Sequence, residues 1–318
     1  MREPRGLFGV SPELDEIIRE FAFLTSYYRN LHPANAGDDS QVLDDEIAAR
    51  LIGVFADTAS EWYDISELER LGEIRNDGRQ GYRTEGVKDS RFLESITPMR
   101  NRVMLVTRTG SSLPALQYWT DRGHEGRLLT AIQVDDTASR IRVLYGNRQY
   151  GSVPSIETHV HLAANAASIA SGLHSPATVH AHSFELVSLS RHPWIAGNEK
   201  RLNAVIYTQV EGLLRNYPDL IGIVGYRVSG SAQLALDSLT PLMSHRLIIW
   251  MNHGVVMREA NLSRAYTLLG YAEEAARASL FALETGGVGL PANAIGEFLT
   301  QNGLIESYEE FLHYTQRS

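Results

Sequence analysis

The spacing of apolar positions changes character along this chain. After Ser11-Pro12, which supplies an N-cap and a first-turn proline, Leu14, Ile17, Ile18, Phe21, Leu24 and Tyr28 recur three and four residues apart until His32-Pro33. This predicts an amphipathic helix. The polar run Asn35-Ala36-Gly37-Asp38-Asp39-Ser40 reads as a turn, and residues 44–75 read as mostly helical and polar, ending in an Asn76-Asp77-Gly78 turn. Residues 79–98 are charged and aperiodic, which predicts a loop or insertion.

From Val103 the period shortens. VMLV at 103–106 and the runs at 127–134 and 141–145 are β-rich, short and separated by turn residues, the pattern of antiparallel strands. Pro154 then precedes a long apolar helix over 155–173. A strand over 177–182, helices over 183–191 and 199–216, and strands near 221–226 and 247–251 follow. The last long helix, 261–285, places Leu262, Tyr266, Leu269, Ala272, Ala276 and Leu280 on one stripe and meets a stop at Gly286-Gly287. A mixed α/β sheet covered by helices results, without internal repeats. The tail at 296–318 carries Phe298, Leu304, Tyr308, Phe311, Leu312 and Tyr314 on an amphipathic pattern, suited to folding back on its own subunit or docking on a neighbour.

Composition narrows the function classes. A net charge of −9 over 318 residues argues against a protein that binds phosphate backbones, so nucleic acid is not an expected partner. No stretch has the length and apolarity of a membrane span, and the amino terminus turns acidic before any signal-like apolar run, so a cytoplasmic protein is expected. The chain has no cysteine, which leaves His, Asp and Glu as metal ligands.

Histidines supply the candidate chemistry. His159, His161, His174, His180, His182 and His192 fall within 34 positions, and His253 returns beside a glycine. In a strand, His180 and His182 would project from one side about 6.6 Å apart, able to converge on one ion. Glu157 and His161 lie four apart at a helix start and share a face. In Trp250-Met251-Asn252-His253-Gly254 an apolar strand delivers an imidazole against a residue that allows close backbone approach. Three imidazoles and one carboxylate match a zinc site that keeps room for substrate oxygens.

The segments PSIETHVH (154–161), TVHAHS (178–183), GYRVSGSAQLA (225–235), LIIWMNHGVV (247–256) and AYTLLGYAEEAARASL (265–280) resemble the class II aldolase/adducin family, and within it the rhamnulose-1-phosphate aldolases. The resemblance runs in order from about residue 103 to 286 and includes Val106-Thr107-Arg108-Thr109-Gly110-Ser111. It implies a three-layer α/β/α fold around a mainly antiparallel sheet, a single domain spanning 1–318 with an insertion at about 41–98 and a helical tail at about 288–318, and a homotetramer with active sites at subunit boundaries. By position His180, His182 and His253 would hold zinc. Glu157 would be the catalytic acid/base and a ligand when substrate is absent. Thr109, Gly110, Ser111 and Ser155 would contact a sugar or sugar-phosphate substrate, and Tyr226 with Glu211 from a neighbouring subunit would protonate the leaving oxygen. The implied reaction is retro-aldol cleavage of a ketose, a ketose 1-phosphate by resemblance, to a dihydroxyacetone-type product and a short aldehyde.

Other family members are dehydratases, which share the Glu and the three His, epimerases, which usually carry Asp in place of the Glu, and adducin-like proteins that bind partners without chemistry. Two features of the sugar-phosphate pattern differ here. Asp38-Asp39 stands where a neutral amide is expected, and Ile156 stands where a hydroxyl precedes the Glu. Carboxylates repel a phosphate dianion.

Overall fold

The computed structural model describes residues 6–31, 37–74, 84–108, 112–146, 153–217 and 219–303. Its frame is a nine-stranded sheet among these residues: β1 (Gly37–Val42), β2 (Tyr63–Asp64), β3 (Val103–Thr107), β4 (Leu129–Val134), β5 (Arg140–Tyr145), β6 (Ala177–Ala181), β7 (Gly222–Val224), β8 (Leu247–Trp250) and β9 (Gly254–Glu259). The order across the sheet is β2-β5-β4-β3-β1-β6-β9-β8-β7. Every pairing is antiparallel except β7 with β8.

Helices cover both faces. One face carries α1 (Pro12–Leu31), α2 (Asp45–Phe55), α4 (Leu116–Thr120), α6 (Phe184–Arg191), α7 (Glu199–Ile206), α8 (Glu211–Asn216), α10 (Leu262–Thr285) and α11 (Ala292–Gln301), packed on Val103, Leu105, Val179, Ile249 and Val255. The other carries α3 (Ser90–Ser95), α5 (Thr158–Ala170) and α9 (Ala232–Ser244), packed on Met104, Val106, Ile248, Trp250 and Val256. The period-2 alternation of strand side chains sorts these two sets, giving the expected three layers.

Most of the expected elements form close to their predicted places, and α10 stops at Gly286, which adopts φ 75°. Four expectations need correction. Residues 37–40 form a central strand rather than a turn, because the buried Asp38, Asp39 and Ser40 find buried partners on both faces. The helix expected over 44–75 ends at Phe55. A 3-10 turn follows, then β2 and 3-10 winding from 65 to 74, and Ser60 ties this stretch to the edge of β5 by donating from its backbone N–H to Val143 O and accepting from the Val143 N–H. The helix expected over 199–216 breaks into α7 and α8 at Val210, which is extended (φ −135°, ψ 112°). Part of the 79–98 loop is α3, capped by the Asp89 side chain. The Asn76-Asp77-Gly78 turn and the tail beyond residue 303 lie outside the described residues. Within them, Ile295 and Leu299 of α11 are buried in the chain's own core, so this part of the tail folds back.

Candidate metal and active site

Strand alternation sends His180 of β6 and Trp250 of β8 to the sheet face that carries α5, and His182 follows just past the end of β6. His253 sits in the tight turn joining β8 to β9, where its N–H donates to the Trp250 carbonyl (3.0 Å) and Asn252 takes φ 62°. Gly254 makes this approach possible. A Cβ there would stand 2.6 Å from Ala181 O and 2.9 Å from His180 Cε1.

The three rings form a nearly equilateral group, with centroids 5.0 Å apart for His180–His182, 4.9 Å for His180–His253 and 5.2 Å for His182–His253. One ring nitrogen from each lies within 4.8 Å of the others. A tetrahedral ion at about 2.1 Å from each nitrogen needs nitrogens about 3.4 Å apart, so modest ring rotations close the set. Trp250 forms one wall, its ring 4.8 Å from His180 and stacked at 5.0 Å on His253, while its Nε1–H donates to Ser238 Oγ (3.0 Å).

Protonation favours cation binding. His180 Nδ1–H donates to Val255 O (2.9 Å), which turns the Nε2 lone pair away from that carbonyl. Burial holds His180 well below the ordinary imidazole range, lowers His182, and pulls His253 down to about 4. All three are therefore neutral at pH 7 and available as ligands. Nδ1 of His253 is buried without a hydrogen-bond partner, an arrangement that is costly unless a cation or a donor meets it. These donors fit a nitrogen-ligated divalent ion.

Glu157 faces this group from the N-cap position of α5. It is 1% exposed, its Oε1 lies 3.9 Å from His253 Nε2, and it accepts from Ser229 Oγ (2.5 Å) and from Gly230 N–H (3.2 Å to Oε1, 3.3 Å to Oε2). Burial, and then the charge of Asp38, raise its pKa to about 7 against the pull of those two donors. Sequence reasoning missed Ser229 and Gly230 as its holders. The available signal was a Ser-Gly pair just ahead of Ser231, the N-cap of α9.

A second buried polar chain lies behind Glu157. Asp38 accepts from His161 Nε2–H (2.5 Å) and from the Ser155 hydroxyl; His161 Nδ1 meets Ser40 Oγ at 2.8 Å; Ser40 accepts from Asn165, and Asn165 from Thr178. Burial pushes Asp38 up, but His161, His180 and the Ser155 hydroxyl outweigh it and hold the carboxyl well below the usual range. The Ser40–His161–Asp38 sequence has the order of a hydrolytic triad. Ser40 is fully buried, however, and meets no substrate. Asp39, one residue on, points to the opposite face and pairs with Arg29 (3.1 Å), whose guanidinium also donates to the His180 carbonyl (2.8 Å).

Residues 100–280 match the sequence profile of the class II aldolase and adducin N-terminal domain, more than half of the chain. The chain belongs to the class II aldolase and adducin family. Among curated class II relatives, the rhamnulose-1-phosphate aldolase of Listeria monocytogenes serotype 4a is 21% identical over 160 residues, 50% of this chain and 58% of that protein. The rhamnulose-1-phosphate aldolase of Yersinia pestis strain Pestoides F is 25% identical over 215 residues, covering 65% of this chain and 74% of that one. The match to the Listeria enzyme thus spans little more than half of its length. The crystal structure of a sugar-phosphate aldolase from Thermotoga maritima superposes with a TM-score of 0.61 at 21% identity, over 86% of this chain and 97% of that one. YgbL from Escherichia coli gives 0.55 at 17% identity, over 89% and 98%. Both show that the class II aldolase fold is shared.

The remaining residues implied by that resemblance are placed as follows. Ser155 is buried, donating to Asp38 and accepting from the Glu157 N–H (3.0 Å). Thr109, Gly110 and Ser111 lie outside the described residues. Tyr226 is 57% exposed on the loop after β7 that also carries Ser229, and Glu211 is paired with Arg215 (2.5 Å) on the surface of α8. No helix among the described residues is long and apolar enough to cross a membrane.

Proposed function

We propose that this chain is a metal-dependent aldolase, cleaving a ketose by retro-aldol chemistry to a dihydroxyacetone-type product and a short aldehyde, or joining the two in reverse. The reading is carried by one observation, a buried carboxylate, Glu157, facing three converging neutral imidazoles. His180, His182 and His253 would hold one ion per subunit, and Glu157 would join them while substrate is absent. Nitrogen donors suit zinc, which would supply Lewis acidity toward a substrate carbonyl when bound, undiminished by any thiolate ligand. Glu157 moves the proton at the carbon beside that carbonyl, a task worth about 10²–10⁴ in rate for a positioned base. Ser229 and Gly230 fix where its carboxylate points.

The names of the curated relatives support a ketose 1-phosphate as substrate, held by Thr109, Gly110 and Ser111, and by Ser155 once its hydroxyl turns from Asp38. Tyr226 and Glu211 would protonate the leaving oxygen across a subunit boundary of a cytoplasmic homotetramer. The exposure of Tyr226 and the outward stripe Phe23, Tyr27 and Leu31 on α1 favour such a boundary.

Metal analysis and product mass test the reading together. The purified protein should carry about one zinc per chain, and a His180→Ala, His182→Ala double variant should carry none; equal content in both would reject the site. With rhamnulose 1-phosphate and unphosphorylated ketoses, products should have the masses of the two carbon-chain fragments, and Glu157→Gln should abolish them with zinc retained. Loss of water from an intact carbon chain would make the protein a dehydratase, and no turnover of any ketose would make it a binding member of the family.

A further inference from the structure

We infer that Thr84 and Glu85, from the region outside the family pattern, are positioning residues for Glu157, strapping down the turn that holds its carboxylate. This rests on the proposed role of Glu157. Among the described residues the Glu157 carboxylate is held by Ser229 and Gly230, two successive residues of the β7–α9 loop, so its aim is set by where that loop lies. The loop is held from outside. The Glu85 N–H donates to Gly230 O (2.8 Å), and the Glu85 carboxylate accepts from the Ala232 N–H at the first turn of α9 (2.9 Å). One residue earlier, the Thr84 hydroxyl donates to Ile156 O (2.9 Å), on the peptide unit that leads into Glu157. Thr84 and Glu85 therefore join the two chain segments, 156–157 and 229–232, whose separation decides the geometry of the Glu157 clamp.

The strap is itself pinned. The Gly86 N–H donates to Glu69 Oε2 (2.9 Å) and the Val87 N–H to Ile65 O (3.0 Å), and Val87 is fully buried. Gly86 packs so closely that a Cβ would stand 2.0 Å from Ser66 O. A tether fixed to the 65–69 stretch at one end and bridging both halves of the Glu157 clamp at the other restrains the clamp more than its own loop can. His159 adds a parallel hold from α5, its Nε2–H donating to Ser231 O (3.0 Å). Side-chain contacts of this strength change fold stability little at an exposed site. A displacement of about 1 Å at a catalytic group can nevertheless cost up to about a hundredfold in rate.

The test compares zinc-loaded full-length protein with the double variant Thr84→Val, Glu85→Ala and with the conservative double variant Thr84→Ser, Glu85→Gln, which keeps a hydroxyl and a carbonyl acceptor. Three quantities are read: zinc content, amide deuterium uptake in peptides covering 229–232, and the rate of solvent deuterium exchange at the hydroxymethyl carbon of dihydroxyacetone phosphate and of dihydroxyacetone. The Val/Ala variant is expected to keep its zinc, to lose protection at the Gly230 and Ala232 amides, and to exchange the probe with kcat lowered roughly tenfold or more at a KM within about twofold. The Ser/Gln variant should behave as the parent. Parent-like amide protection and kcat in the Val/Ala variant, a loss seen in KM or zinc content instead, or equal losses in both variants would overturn the inference. If the parent exchanges neither probe, the proton-transfer reading of Glu157 fails on its own, and the amide protection at 229–232 decides the strap alone.

Discussion

Replacing Asp39 by alanine removes, in one step, the acceptor for three buried donors. Its carboxylate accepts from Arg29 Nη2 (3.1 Å), Thr25 Oγ1 (2.8 Å) and Tyr266 OH (2.6 Å), and Asp39, Arg29 and Thr25 are all at most 1% exposed. Burial, with the charge of Asp39 next, lifts the Tyr266 phenol well above its ordinary range, as expected for a hydroxyl locked as a donor to a carboxylate. Breaking a buried ion pair by removing one partner costs about 3–5 kcal/mol, and each buried hydroxyl left without an acceptor adds roughly 1–3 kcal/mol. These costs overlap where the cavity can relax or admit water, so about 5 kcal/mol is the working value for Asp39→Ala, a large share of the roughly 5–15 kcal/mol that holds a typical domain. Asp39→Asn keeps the volume and one acceptor oxygen and should lose about half as much. Arg29→Met in the Asp39→Asn background should cost less than the sum of the single changes by about 2 kcal/mol, because it also removes the stranded charge. Urea unfolding followed by circular dichroism and tryptophan fluorescence, with coincident transitions and at several protein concentrations, measures these differences. An Asp39→Ala variant within about 1 kcal/mol of the parent, or strict additivity in the cycle, would refute the argument that the network is dry and interdependent.

Three further outcomes follow from the site. Gly254→Ala places a methyl group against Ala181 O and the His180 ring, so zinc affinity should fall about tenfold or more in a competition titration while the protein stays folded. Ser229→Ala removes the shortest hydrogen bond to Glu157 and should lower the kcat of the proposed aldol cleavage about 10–100-fold with zinc content unchanged; a change confined to KM would count against the clamp. His159, fully buried, is held by desolvation at about 4 against an ordinary value of 6.5. The unfolded chain thus takes up this proton first, and the stabilising contribution is complete above pH 6.5 and lost as pH falls toward 4. It amounts to about 3 kcal/mol, read as a flatter pH dependence of the urea midpoint in metal-free His159→Gln than in the metal-free parent.

The legible and illegible parts of this molecule differ in the sequence distance over which their partners lie. Strands β3 to β5 form a meander of neighbours in sequence, and β-rich runs broken by turn residues are enough to find them. His180 and His182 stand two apart, and His253 announces itself beside Gly254, so the three imidazoles that converge could be picked out before any fold was known. Strand β1 could not. Gly-Asp-Asp-Ser is turn chemistry by local rules, yet it lies between β3 and β6 at the centre of the sheet, because the side chains that satisfy it come from 123 residues away at His161 and 227 away at Tyr266. The same adjacency explains why the two carboxylates serve different ends. Alternation along β1 turns Asp38 toward His161 and Ser155 on the α5 side and Asp39 toward Arg29 and Tyr266 on the α10 side. Asp38 pairs in register with His180, and Arg29, bound to Asp39, donates to the His180 carbonyl. The central imidazole is thus braced from both faces of the sheet by residues whose local sequence signals only a turn. Glu157 shows the converse case. Its residue type and place at a helix start were legible, but the Ser229 and Gly230 that aim it lie 72 and 73 residues further on, and only the sheet topology brings them to it.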